Sequence, residues 1–115
     1  WETVFSGFLK TSHLRKEDAL FILSVGGGNK EKNISANLVH AMELAKERGA
    51  RIIGITARDA GYCAKVGDAV VIIPTLSPDT ITPHAEAWQA VIWHMMVSDP
   101  RVMQMSNKWE SMDKK

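Results

Sequence analysis

The chain has 115 residues, 45% of them hydrophobic and 23% charged, with a formal net charge of +1. That is enough chain for one small globular domain. The charge balance speaks against a nucleic-acid-binding surface as the main business, because phosphate-backbone binding needs a basic surplus on one face. No apolar run approaches the roughly 20 residues of a membrane span, so no membrane segment is expected. Cys63 is the single cysteine, which rules out an internal disulfide and fits a reducing compartment such as the cytoplasm.

The predicted elements begin with an amphipathic helix over 1–12, with Trp1, Val4, Phe5, Phe8 and Leu9 on its apolar side. The chain opens inside this helix without an initiator methionine, so residues upstream are expected. After the polar turn Arg15-Lys16-Glu17-Asp18, the continuous apolar run 19–24 reads as a strand buried on both faces. Gly26-Gly27-Gly28-Asn29 and Lys30-Glu31-Lys32 break it as a polar loop. A helix is predicted from Asn33, with Ile34, Leu38, Ala41, Met42 and Ala45 inward and Gly49 at its C-terminal end. Residues 51–56 form the second strand, Asp59-Ala60-Gly61 a turn, and 62–66 a single helical turn. Residues 69–73 form the third strand, stopped by Pro74. Thr82 and Pro83 open a helix that runs to Ser98, where Asp99-Pro100 ends it. In the tail, Val102, Met105, Trp109 and Met112 have helix-like spacing, so 99–115 reads as an extension or short helix.

Strands alternating with helices imply βαβ units, a parallel sheet and an α/β fold. In such sheets, ligands bind at the carboxyl ends of the strands. The segment 24–29 lies there. Its glycines let main-chain N–H groups approach an anion closely, and a helix N-terminus follows. A phosphate ester is the natural guest, with Ser24, Gly26, Gly27, Gly28, Asn29, Asn33 and Ser35 as candidate binding residues. The pattern is neither a Walker A loop nor a dinucleotide fingerprint. Arg58 and Asp59 follow the second strand at the same end and are candidates for touching sugar hydroxyls.

The blocks 18–24, the glycine-rich loop, Asn33-Ile34, 45–56 and 68–74 together resemble the SIS (sugar isomerase) domain over roughly residues 14–98. The nearest branch is the phosphoheptose isomerases, and 82–94 is similar to the final helix of a subgroup of that branch. The resemblance implies a three-layer αβα sandwich with a parallel sheet. On this reading, 1–115 is a single domain that lacks its N-terminal third. It further implies a phosphorylated sugar as partner, a homodimer or homotetramer, and aldose–ketose isomerisation of sedoheptulose 7-phosphate through an enediol. No cofactor and no metal site are expected. The family's catalytic glutamate is expected upstream of this segment, so enzymatic activity would depend on that part. Within the segment, His84 and Glu86 are the acid/base candidates. Two positions depart from the family pattern. Gly26, Gly27 and Gly28 replace most of the loop's usual hydroxyl residues, and aligning Glu86 with the family glutamate puts Trp88 where the isomerases carry a histidine. The competing reading is a non-catalytic module that senses a phosphosugar or serves as an assembly subunit.

Overall fold

A computed structural model describes residues 1–105. Eight segments are regular: α1 (Val4–Thr11), β1 (Ala19–Leu23), α2 (Ala36–Arg48), β2 (Arg51–Thr56), α3 (Tyr62–Val66), β3 (Ala69–Ile72), a 3₁₀ turn (Pro78–Thr80) and α4 (Ile81–Ser98). The three strands form one parallel sheet in the order β1-β2-β3. Ile22 is in register with Gly54, and Leu23 with Ile55 and Val71.

Alternation along the strands sorts side chains to two faces. On one face Ile22 and Ile52 pack with Met42, Leu44 and Ala45 of α2 and Cys63 of α3. On the other, Ile55 and Ile73 pack with Ala85, and Ile81, Ile92, Trp93 and Met96 of α4 close around them. The result is a three-layer α/β sandwich with α2 and α3 on one side and α4 on the other. Gly54 is required by the first layer: a Cβ there would lie 2.6 Å from Cys63 Sγ.

Four departures from the sequence expectation have a physical reason in the structure. The helix predicted from Asn33 starts at Ala36. Asn29 and Ile34 exchange both main-chain hydrogen bonds (2.8 and 3.0 Å), and Asn33 and Ser35 both adopt the left-handed conformation with φ near 51°. That short closed turn delays the helix. The last helix begins at Ile81 rather than Thr82, with Thr80 at its N-cap and no side-chain cap. Pro83 therefore falls in the first turn, where a missing N–H costs nothing. The first helix is shorter than expected, and its apolar side stays largely exposed: Trp1, Val4, Phe5 and Phe8 all face outward. α1 leans on α2 through Leu9 and Ser6, leaving the other apolar residues along a groove.

The fourth difference is the first strand. It was expected to be buried on both faces, but Phe21 and Leu23 are 40% and 47% exposed. β2 is the centre of the sheet, and β1 and β3 are its edges. α4 covers the β2–β3 side and does not reach Phe21 or Leu23. An apolar groove of about 360 Å³ runs along this edge between Phe5 and Phe8 of α1 and Phe21 and Leu23 of β1. The chain turns at 99–103, where Val102 and Met103 both donate to the Asp99 carbonyl. The helical spacing that continues through Trp109 and Met112 lies outside the described residues. No helix among the described residues is long and apolar enough to cross a membrane.

Candidate functional site

The loop after β1 is held from three sides. The Ser24 N–H donates to the Ile55 carbonyl (3.3 Å) and the Ala57 N–H to the Val25 carbonyl (2.9 Å), which carries the strand pairing past the end of β1. The first two amides of α3, at Tyr62 and Cys63, donate to the Gly28 and Gly27 carbonyls (2.7 and 2.9 Å). The Gly27 N–H donates to Ser24 Oγ (3.0 Å). Gly27 and Gly28 have φ of 71° and 77°, a region that favours glycine. Gly27 is also enclosed, since a Cβ would meet Cys63 and Thr56 at 3.3 Å.

This bonding orients the loop. With the Gly27 and Gly28 carbonyls taken by α3, the N–H groups of Gly26 and Gly28 donate to nothing among the described residues. Both residues line a cleft of about 430 Å³, together with Asn29, Lys32, Ile34, Arg58, Ala60 and Gly61. Gly61 fits against the Gly26 carbonyl so closely that a Cβ would collide with it. Gly26 has open space where a Cβ would stand. The cleft thus sits at the carboxyl ends of β1 and β2, with two unengaged main-chain donors, two cationic side chains and no carboxylate in its lining.

Of the candidate phosphate ligands, Gly26, Gly28 and Asn29 line this cleft. Ser24 and Gly27 lie beneath it and brace each other. Asn29 Oδ1 accepts from the Lys32 N–H (2.8 Å), which fixes the tip of the loop. Asn33 lines a neighbouring cleft, and its Nδ2 donates to Glu2 Oε1 (3.1 Å). Ser35 is exposed at the start of α2 and makes no side-chain cap. Asp59 is exposed between Arg58 and Ala60 and is not part of the lining. Lys30 pairs with Glu43 of α2 and tethers the loop tip. Its hydrogen bond holds the Glu43 carboxyl below the usual carboxylate range.

His84 and Glu86 are placed elsewhere. His84 lines an apolar cleft of about 300 Å³ with Ile72, Ile73, Pro74, Leu76, Trp88 and Ile92, beside the end of β3. Its ring meets the edge of Trp88 at 6.5 Å between centroids. Glu86 is exposed. Among the described residues, the His84 cleft and the glycine cleft have no lining residue in common.

Two features escaped the sequence reading. Lys32 had no assigned role; it comes to the cleft only because the Asn29–Ile34 bridge folds the loop back. Gln89 is buried on α4, and its Nε2 donates to the Ile55 carbonyl (3.0 Å), the same oxygen that accepts from Ser24. That bond ties α4 to β2, beside the point where the glycine loop leaves β1. Its only sequence signal is a polar residue four positions after Ala85, on the face that also buries Ala85.

No protein-family model matches the sequence. The chain is 34% identical over 77 residues to the lincomycin biosynthesis protein LmbN of Streptomyces lincolnensis, covering 67% of this chain and 28% of that protein. It is 31% identical over 86 residues to a phosphoheptose isomerase of Rhodospirillum rubrum, covering 75% of this chain and 40% of the relative. The solved structure of phosphoheptose isomerase GmhA from Neisseria gonorrhoeae superposes with a TM-score of 0.67 at 26% identity, covering 83% of this chain and 48% of that one. The chain therefore spans less than half the length of these relatives. Over that span, the sequence matches and the parallel sheet and the flanking helices agree, so the chain is phosphoheptose isomerase-like in sequence and in fold.

Proposed function

We propose that this chain forms a single SIS domain that binds a phosphorylated sugar at the cleft beside Gly26 and Gly28, as part of an aldose–ketose isomerase acting on a heptose 7-phosphate. The observation that carries the reading is the pair of unengaged amides at Gly26 and Gly28, on a loop whose Gly27 and Gly28 carbonyls are taken by α3 and whose Val25 carbonyl accepts from Ala57. Main-chain donors in a cleft whose lining holds no carboxylate favour a compact anion such as a phosphoryl group. The likeness to phosphoheptose isomerases supports the choice of sugar. The fold and the single buried cysteine fit a protein of the cytoplasm. Exposed Trp88, Val91, Met95 and Val97 on α4 support a homodimer or homotetramer.

Isomerisation requires a base that removes a proton from one carbon and an acid that returns it to the next. His84 and Glu86 are the groups proposed for this work. Their separation from the glycine cleft favours a second reading: within one copy of the chain the module binds the sugar phosphate without turning it over, as a sensor or assembly subunit. Incubating the full chain with sedoheptulose 7-phosphate, and following both binding by calorimetry and aldose formation by chromatography, separates the two. Binding with turnover that falls in His84→Ala supports the enzyme. Binding without turnover supports the module, and absence of binding refutes both.

A further inference from the structure

Main-chain amides hold an anion but discriminate weakly between one negative charge and two, because each contributes only a partial charge. Discrimination needs full charges near the group. The cleft has two, Lys32 on the loop after β1 and Arg58 on the loop after β2. Neither side chain pairs with a carboxylate among the described residues, whereas Lys30, Arg51 and Arg101 pair with Glu43, Asp68 and Asp99. Each is set in place by its own backbone. The Lys32 N–H is bound to Asn29 Oδ1, and the Arg58 carbonyl accepts from the Gly61 N–H (3.3 Å). Both side chains are exposed, so the cations retain solvent and can swing over a bound group.

We propose that Lys32 and Arg58 are the specificity-determining residues of this cleft and select a dianionic phosphoryl group over a monoanionic one. The inference rests on the reading of the cleft as a phosphosugar site and adds the source of its charge selectivity. Lys32 supplies a compact point charge, and Arg58 a planar fork able to meet two phosphoryl oxygens at once.

The test is calorimetric titration of the full chain with sedoheptulose 7-phosphate and with sedoheptulose 7-sulfate, a monoanion of the same shape. Wild type should prefer the phosphate ester. Lys32→Gln and Arg58→Gln should each weaken phosphate-ester binding roughly fivefold, the worth of one exposed ion pair in water. The double variant should lose most of the preference. Lys32→Arg combined with Arg58→Lys should keep the preference, and so should Lys10→Gln, whose cation is exposed on α1 outside the cleft. Thermal unfolding should be the same for all, since both side chains are exposed. A double Gln variant that binds the phosphate ester and discriminates as wild type does would overturn the inference while leaving the phosphosugar reading standing. Wild type that binds neither ester would overturn both.

Discussion

Replacing Gln89 tests the connection between α4 and the strand end most directly. Its amide donates to a carbonyl that also accepts from the Ser24 N–H, so the Ile55 oxygen keeps one partner when the side chain is removed. Gln89→Leu should therefore cost about 1 kcal/mol, the net worth of one hydrogen bond, without the larger penalty of an orphaned acceptor. Gln89→Glu is different. At neutral pH it aims a buried carboxylate at a carbonyl oxygen. Burial and repulsion both favour the neutral form and raise the folded-state pKa of the introduced group above its unfolded value of about 4.3. A rise of two to three units corresponds to roughly 3–4 kcal/mol lost at neutral pH, a large share of a small domain's stability. The sign follows from linkage. A raised folded pKa makes the variant most stable, relative to wild type, below the unfolded pKa, and that stability is lost as pH rises through the folded value. Below the unfolded pKa the protonated carboxyl can donate to Ile55 as the amide does. Urea unfolding followed by tryptophan fluorescence at pH 7.5 and at pH 4–5 reads the difference, each variant against wild type at the same pH. If Gln89→Glu matched Gln89→Leu at neutral pH and gained nothing on acidification, the bond from α4 to β2 would not exist as described.

Gly26→Val should leave the melting temperature close to wild type, because open space surrounds the position, yet should fill the cleft and reduce sedoheptulose 7-phosphate binding at least tenfold by titration. Gly61→Ala should do both kinds of damage, since its methyl displaces the Gly26 carbonyl; overpacking of this sort costs about 1–3 kcal/mol in urea unfolding. Asp68 accepts from the Ile52 N–H (2.8 Å) and from Arg51 (3.0 Å), which together hold its carboxyl below the ordinary range. Its contribution should be full above the unfolded value of about 3.9 and fade as pH falls through the lower folded value. Asp68→Asn should therefore narrow the stability difference between pH 7 and pH 3, and an unchanged acid limb would remove Asp68 from that role.

Where local chemistry decides the structure, the sequence is a good guide. Residues 51–56 are rich in β-branched side chains, at Ile52, Ile53, Ile55 and Thr56, and they form β2 with the expected bounds. Gly49 caps α2 with φ of 72°, as a glycine there should. Where the outcome depends on neighbours distant in sequence, the pattern falls short. The apolar run 19–23 reads the same whether its strand is central or at an edge, and only the strand order decides that Phe21 and Leu23 face outward. The start of α2 depends on a hydrogen-bonded turn that no helical periodicity encodes. The glycine loop was legible as a feature, but the partners of its donors were not. Gly27 has its N–H consumed by Ser24, while Gly26 and Gly28 keep theirs, and no composition rule separates the three. Lys32 and Arg58 line one cleft only because two separate loops leave the same end of the sheet.

Cys63 has no solvent exposure and is wedged between Gly54 and Gly27, and burial raises its thiol pKa. It is the only thiol in the chain. In the native molecule it is both inaccessible and largely protonated, which are the two conditions that suppress attack by an aromatic disulfide reagent. Labelling can proceed only when the layer between β2 and α3 comes apart. The rate of thiol release is thus a built-in clock for opening of the structure beneath the glycine loop, read without any introduced probe.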